Sequence, residues 1–584
     1  MNNFSNILSK LTALIEKNIA YTVDGSLNRN LLAADARKYD PGLLSLLQKD
    51  KELKEHFFAA TDGGLVFKKD VFLQFIMNKE FLPDSYTKYK IKIGLGAEDG
   101  SLLSEKGEVV LNWPYKDAIL EGGQDKEDQK RSEVFFNEVL APDQITRLLD
   151  DKLFTNWKRY DKDGEHELDE LKDDDNLIIK GNNLVVLHSL KTRYAGKVKL
   201  IYIDPPFNTG GDSFGYNDRF NHSTWLTFMK NRLQVAKELL SEDGSIFIHC
   251  DENENAYVRI LADEIFGREN LMNEIIWRYR TYVGQVKDYF PKKHDTIFWY
   301  KKNARPEFKL IYEDNLEETV DYKRWSKFIV EGNKIRYGNH PTTDSRFTAY
   351  LKKFIKQNGQ PEGGEVIYEV RGYIIDDVWD DIIALDPKNL SERTKFTGGQ
   401  KPEALLERII QSVTSKGDLV LDYHLGSGTT AAVAHKTGRR YIGVEQMGYI
   451  DSITVNRLNA VISGEQGGVS LSNEWQGGGS FVYTTIMNNA NKFRKRIDAA
   501  KNDAEYRALL NEVSLSSFLS YRVDPKKLNE DEFRKLSSAE KRRLLLELID
   551  NNTLYVNYED INDPSFKISE KDKEFNKKFY EKNS

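Results

Sequence analysis

A chain of 584 residues is too long for one hydrophobic core, and about three or four domains are expected. Its 39% hydrophobic content is ordinary for a globular protein, no apolar run approaches the roughly 20 residues of a membrane span, and one cysteine, Cys250, excludes disulfides and cysteine-based zinc clusters. A net charge of −7 excludes a uniformly basic nucleic-acid coat but leaves room for a basic patch on one face.

The N-terminal "MNNFSNILSKLTALIEKNIA" has helical periodicity but none of the parts of a signal peptide, so a cytosolic protein is expected. Residues 1–155 alternate short helical patterns with brief apolar runs and carry no catalytic constellation. "PDQITRLLDDK" within them resembles a nuclease signature on the surface, yet its apolar residues have helical spacing, and it reads as structural. The acidic "DKDGEHELDELKDDD" (161–175) reads as a linker. From Asn176 the pattern becomes strand, helix, strand, which indicates a parallel sheet covered on both faces.

"IYIDPPFNTGG" (201–211) ends the second of these strands. Proline lacks a backbone N–H and fixes its own φ, so Pro205 and Pro206 stop the strand and hold Asp204 and Phe207 on a stiff elbow. "GSIFIHCD" and "DTIFWYKK" are further strands. Cys250, inside the former, reads as core, and the acids of "DENEN" after it read as solvated rather than metal-binding.

The stretch 323–356 interrupts the alternation. Its bases (Lys323, Arg324, Lys327, Lys334, Arg336, Arg346, Lys352, Lys353, Lys356) far outnumber Glu331 and Asp344, and Trp325, Phe328, Tyr337, Phe347 and Tyr350 are interleaved. Such a run is either a solvated face or a nucleic-acid surface. "PEALLERIIQSV" resumes as a helix, and "DLVLDYHLGSGTTAAVAHKTG" is a strand, a tight loop and a helix beginning at Thr429. Glycines there let backbone approach a ligand, and a helix N-terminus favours a carboxylate or phosphate. The following strand ends in Glu445, placed to bind ribose hydroxyls. Two glycines with no lysine after them disfavour a phosphate-cradling loop. A cofactor with a ribose, a carboxylate and no pyrophosphate fits better, and S-adenosylmethionine is that cofactor. Near the C-terminus, Ser537 and Glu540 have capping-box spacing.

"DPPF" at the end of one strand, with a "GSG" loop later in the chain, resembles the amino-methylating DNA methyltransferases, and the order of the two motifs resembles their permuted β group. "TGGQKPEALLERII" is similar to the helix that closes on the methionine end of the cofactor, and "GNNL" to the segment near its adenine. "FLPDSYTKYKIKIGL", "WPYKDAILEGGQDKEDQKRSEVFFNEVLAPDQI" and "GGGSFVY" resemble the modification (Mod) subunits of type III restriction–modification systems, which extends the likeness over most of the chain. One departure is Asp422-Tyr423-His424, where the family usually has Asp-Pro-Phe, so an imidazole stands where a phenyl packs beside the cofactor.

The resemblance implies a doubly wound, Rossmann-like α/β methyltransferase sheet in permuted order. The expected division is 1–160, an accessory or dimerisation region; 161–310, the first catalytic part; 311–375, a target-recognition insert; 376–465, the second catalytic part; and 466–584, a C-terminal region available to a partner subunit. Asp204, Pro205, Pro206 and Phe207 would be catalytic: Phe207 stacks on a flipped base, and Asp204 with the carbonyl of Pro205 accepts the amine N–H groups. Asp422, His424, Gly426, Ser427, Gly428, Thr429, Glu445, Lys401 and Asn182 would hold S-adenosylmethionine, and Lys323, Arg324, Lys352, Lys353 and Lys356 would touch DNA. No metal is expected. Methylation at cytosine carbon would need a cysteine nucleophile, which is excluded, and Asp at the first motif position favours adenine N6 over cytosine N4 by resemblance.

Three functions compete: a type III Mod subunit working with a separate helicase–nuclease, a solitary methyltransferase, and a catalytically silent DNA-binding subunit. The intact motifs disfavour the third. The family implies double-stranded DNA as substrate, a homodimer, and a bacterial cytoplasmic, nucleoid-associated location.

Overall fold

Phe154–Asp161 (β1), Gly164–Glu167 (β2), Leu177–Lys180 (β3), Val198–Ile203 (β4), Leu240–Cys250 (β5), Leu271–Arg278 (β6), His294–Lys301 (β7), Val378–Trp379 (β8), Leu419–Asp422 (β9), Arg440–Glu445 (β10) and Phe481–Ile486 (β11) form one sheet in the order β8-β6-β7-β5-β4-β9-β10-β3-β11-β1-β2. The computed structural model describes residues 148–208, 222–279, 288–385, 391–396, 399–488, 502–515 and 555–581, with parts of 10–77, 111–137, 496–500 and 533–545. "FLPDSYTKYKIKIGL" and the glycines that follow Asn208 lie outside the described residues.

The central six strands, β5-β4-β9-β10-β3-β11, run parallel; β7 and β6 add antiparallel pairings at one end, where β8 then pairs parallel with β6, and β1 and β2 finish the other end antiparallel. Parallel strands covered on both faces read as nearly continuous apolar runs, and β4 does so: only Lys199 of its six residues escapes full burial. Helices Asn183–Tyr194 (α1), His222–Leu239 (α2) and Asn255–Phe266 (α3) follow β3, Asn208 and β5 respectively. Among the described residues, no helix is long and apolar enough to cross a membrane.

The acidic stretch 161–175 is not a linker. It forms the outer hairpin of the sheet, with Tyr160 opposite Glu165, and ends where both Asp175 carboxylate oxygens take the Arg159 guanidinium at 2.6 and 2.9 Å. Acids suit this position because β2 is an exposed edge, where charge discourages pairing with another chain. The sheet also crosses two expected boundaries, since β1 starts before residue 160 and β11 lies beyond residue 465. Much of the described C-terminal region is likewise committed to this sheet. The fully buried Asn576 pairs with both backbone groups of Phe154, accepting from N at 2.8 Å and donating to O at 2.6 Å, and Phe575 and Phe579 pack on Trp157.

The chain divides into two compact units, 1–112 and 113–584, rather than at residue 160. The smaller unit packs helices Pro41–Leu47, Lys51–Phe57 and Lys69–Met77 with a hairpin around Leu43, Leu47, Leu53, Phe57 and Phe72. Within the larger unit, residues 316–370 hold a core of their own: Trp325, Ile335, Phe347, Ile367 and Val370. Helix Ser345–Asn358 (α4) starts there on Asp344, whose Oδ1 accepts the Phe347 N–H at 3.0 Å. The aromatics interleaved with the basic run build this small core and offer no exposed stacking platform: Trp325 and Phe347 are buried, and Phe328, Tyr337 and Tyr350 are partly buried.

The capping box at Ser537 is present in both directions, with Ser537 N donating to Glu540 at 2.8 Å and Glu540 N to the Ser537 hydroxyl at 3.3 Å. Lys152, at the end of the nuclease-like stretch, is buried and donates to Asn557 at 2.7 Å, a structural role.

Candidate active site

Ile201 of β4 lies opposite Leu421 of β9, and Asp422 opposite Gly443 of β10. Neighbouring parallel strands therefore end together, which puts Asp204, Asp422 and Glu445 at three adjacent carboxyl ends. From β4 the chain crosses to β5 on one side, and from β9 to β10 on the other; ligands of doubly wound sheets bind at such a reversal.

The elbow after β4 is held from several directions. Trp225 of α2, wholly buried, donates its indole N–H to the Pro206 carbonyl at 2.8 Å, which leaves the Pro205 carbonyl out of that bond. Asn208, at φ 59°, donates to Glu254 Oε1 at 2.6 Å, and His222 shares that oxygen at 2.8 Å. Glu254 and Asp251 of "DENEN" are therefore not solvated: both are buried, and burial raises both carboxyls, Asp251 to about 6. Glu254 anchors the residue that follows Phe207. Behind the Phe207 ring runs a buried chain, Tyr202 to His249 at 2.8 Å, His249 to Asp295 at 3.0 Å, and Tyr279 to Asp295 at 3.1 Å. The His249 ring packs 5.8 Å from Phe207. Cys250 is buried beside this chain as expected, its thiol pushed up first by burial and then by the carboxylates around it.

Asp204 has a partner that its motif does not announce. Lys401 Nζ donates to both of its carboxylate oxygens, at 2.9 and 2.8 Å, and lies 4.7 Å from the Phe207 ring centroid. Expected at the methionine end of the cofactor, the Lys401 side chain sits on the Asp204–Phe207 elbow, and its backbone carbonyl reaches the glycine loop, accepting from Thr429 at 3.1 Å.

In the loop after β9, Gly426 and Gly428 adopt φ 53° and 81°. A Cβ on Gly428 would stand 2.8 Å from Thr454 Cγ2, so both conformation and space require glycine there. Gly428 is the N-cap of Thr429–Lys436 (α6), following Glu403–Val413 (α5), and gives that helix no side-chain cap. Asp422 accepts the His424 N–H at 2.9 Å and the Thr430 hydroxyl at 2.6 Å; burial, with Asp204 and Glu445 adding to it, pushes its carboxyl up to about 7. Glu445 accepts the Gly426 N–H at 3.0 Å, the Met447 N–H at 3.0 Å and the Tyr449 hydroxyl at 2.8 Å. Ser427 and Thr429 lean on Arg457, at 3.3 and 2.7 Å.

Two expected cofactor residues are placed differently. Asn182 caps α1, accepting the Leu184 N–H at 3.0 Å and donating to the Gly122 carbonyl at 3.3 Å, so its side chain serves the fold. His424 packs between Phe228 and Tyr423, burial favours its neutral form, and its Nε2 is buried without a hydrogen-bond partner. Of the expected DNA contacts, Lys352, Lys353 and Lys356 share one exposed face of α4, and Lys323 and Arg324 lie exposed on Val320–Trp325, with Arg324 paired to Asp344 at 2.5 Å.

A family described as DNA methylase matches residues 198–455, and one described as the methylation subunit of type III restriction/modification enzymes matches 40–95. The probable type III restriction-modification enzyme HindVI Mod subunit of Haemophilus influenzae is 35% identical across 95% of this chain and 95% of its own. The chain belongs to the type III Mod family. Another type III Mod subunit, StyLTI of Salmonella typhimurium, is 31% identical over 46% of this chain and 51% of its own. The DNA adenine methyltransferase YhdJ of Escherichia coli is 25% identical over 46% and 77%.

For this Mod chain, sequence reading missed Trp225, His222, Glu254, the Tyr202–His249–Asp295 chain and the Glu403–Arg457–Lys436 cluster. Only Glu254 carried a signal, the crowded acids after β5. The others become meaningful only once the strands are paired.

Proposed function

We propose that this Mod chain transfers a methyl group from S-adenosylmethionine to N6 of an adenine flipped out of duplex DNA, as the modification and recognition subunit of a type III system with a separate restriction subunit. The observation that carries the reading is the pairing of β4 with β9, which sets the Asp204–Phe207 elbow beside the loop 426–429.

The residues present suit the cofactor. Three carboxylates converge at the carboxyl ends of three central strands, and Asp204 and Glu445 add to burial in raising Asp422, a repulsion that a cationic ligand would relieve. S-adenosylmethionine carries two positive groups, and when bound it supplies an electrophilic methyl on sulfur. Asp422, the loop 426–429 and Glu445 would hold it. Phe207 would stack on the extruded base, and Asp204 and the Pro205 carbonyl would accept from its amine, aiming the nitrogen lone pair; flipping costs a few kcal/mol, which stacking and hydrogen bonds offset. The prolines and Trp225 keep these acceptors still, so that orientation supplies most of the rate.

Adenine is preferred to cytosine N4 on the Asp at the first motif position. Base-resolved sequencing of DNA methylated by the purified protein tests the reading: N6-methyladenine on one strand of an asymmetric site is expected, and methylation of both strands of a palindrome would favour the solitary enzyme. Recognition is assigned to the insert. Replacing Lys352, Lys353 and Lys356 by Ala is expected to weaken binding to all DNA and lower the slope of log K against log salt by about 0.9 per lost phosphate contact. Unchanged affinity and slope would move recognition elsewhere. A homodimer is proposed because one small insert offers limited contact, whereas specific DNA interfaces usually bury at least about 1,000 Å². Light scattering of an active monomer would remove it. Nucleoid association follows from the DNA reading.

A further inference from the structure

We infer that Lys401 is a built-in stand-in for the target amine, an ammonium that fills the acceptor site of the elbow and must leave before a base can engage it. The inference rests on the reading of Asp204 as the amine acceptor and adds a regulatory contact to that same site.

A flipped adenine needs two things from the elbow: a carboxylate for its amine and an aromatic face for its ring. Lys401 holds both at once. Its Nζ spans the two Asp204 oxygens, and its distance of 4.7 Å from the Phe207 centroid falls within the roughly 4.5–7 Å that an aromatic partner's ring centre would occupy. Base and ammonium therefore exclude each other. The ammonium is also the stronger competitor, because a charged donor on a carboxylate outweighs a neutral amine. Lysine suits such a reversible seat better than arginine, since it is a compact charge on a flexible stem rather than a rigid fork.

Only the side chain is free to leave. The Lys401 carbonyl is held by Thr429, itself held by Arg457, and Glu403 two residues on is locked between Arg457 at 2.8 Å and Lys436 at 2.7 Å. Release is thus a swing of four methylenes on a fixed backbone. The phosphates of an incoming strand offer the released ammonium a second anion, so DNA both competes for the seat and receives its occupant. The contact disfavours engagement of any base that arrives without a correctly placed backbone, a differential effect of the kind that can shift a two-state balance.

The test reads base flipping without turnover, as the fluorescence of 2-aminopurine placed at the target adenine. Lys401→Met keeps the stem and removes the charge. It is expected to raise the flipped fraction at least about threefold, with S-adenosylmethionine affinity within about twofold, while Lys401→Arg, whose charged fork keeps the seat filled, holds the flipped fraction at or below the wild-type level. A flipped fraction that stays level or falls in Lys401→Met overturns the inference, and a loss of cofactor affinity of about tenfold beside it makes Lys401 a cofactor ligand instead. The thermal midpoint checks that both variants fold. An Asp204→Asn enzyme methylating at the wild-type rate would instead sink the acceptor reading itself, so the two failures are distinguishable.

Discussion

Asp204→Ala is expected to reduce methyl transfer at least about 100-fold while leaving S-adenosylmethionine affinity within a few-fold. The carboxylate, at the end of β4, is the proposed acceptor, whereas the groups assigned to the cofactor stand on β9, β10 and the loop between them. Removing it takes away alignment of the amine that no neighbour can supply: Glu445 is engaged by Gly426, Met447 and Tyr449, and Asp422 by His424 and Thr430. Single-turnover rates and a cofactor titration on the same preparation separate the two effects. A near-wild-type rate would remove Asp204 from the chemistry, and a parallel collapse of cofactor binding would recast it as a cofactor residue. Alanine also leaves the Lys401 ammonium, 12% exposed, without its carboxylate, so Asp204→Asn is the gentler companion.

The largest expected effect on stability lies behind the glycine loop. Glu403 is buried at the start of α5 with its side chain 1% exposed, and its two oxygens take Arg457 at 2.8 Å and Lys436 at 2.7 Å, themselves 6% and 0% exposed. Burial alone would raise the Glu403 carboxyl; the two cations outweigh it and hold it below the usual range. Glu403→Ala leaves the buried Arg457 without a carboxylate and Lys436 with Glu465 alone, and breaking a buried pair in this way costs about 3–5 kcal/mol. A depressed folded-state pKa means that this contribution is present above the unfolded carboxylate value of about 4.3 and is lost as pH falls through the folded one. Denaturant unfolding of the whole chain is expected to show the loss at neutral pH and a smaller difference in acid. A loss below about 1 kcal/mol would mean that the cations find new partners. Cofactor affinity should fall as well, because Arg457 also holds Thr429 and Ser427.

The features that identified this protein are local ones. A strand that stops on two prolines, a strand that runs into Gly-Ser-Gly before a helix, and an amphipathic α5 with Leu405, Leu406, Ile409, Ile410 and Val413 inward are each set by residues a few positions apart. Backbone stiffness, glycine's tolerance of positive φ and helical periodicity act over that range, so elbow, loop and helix were legible. Cys250 as core and the Ser537–Glu540 capping box were readable for the same reason.

Tertiary pairing decided what short-range rules cannot reach. Nothing near Ile201 names Leu421 as its neighbour, yet that pairing is what makes a site of two separate motifs. The acids of 161–175 have linker composition, and only the position of β2 at a sheet edge makes them a hairpin. Glu254 looked solvated among its acidic neighbours, but the fold aims it inward at Asn208 and His222. The basic run with its interleaved aromatics read as a solvated face or a nucleic-acid surface, and only the fold turns Trp325 and Phe347 inward to fill a small core. Lys401 shows the limit most plainly. Its sequence context ties it to the loop, and its backbone is indeed there, but a lysine stem is long enough to reach either that loop or Asp204. Which one it serves depends on where β4 ends relative to α5, and a charge that long-range packing alone brings within reach leaves no trace in the residues beside it.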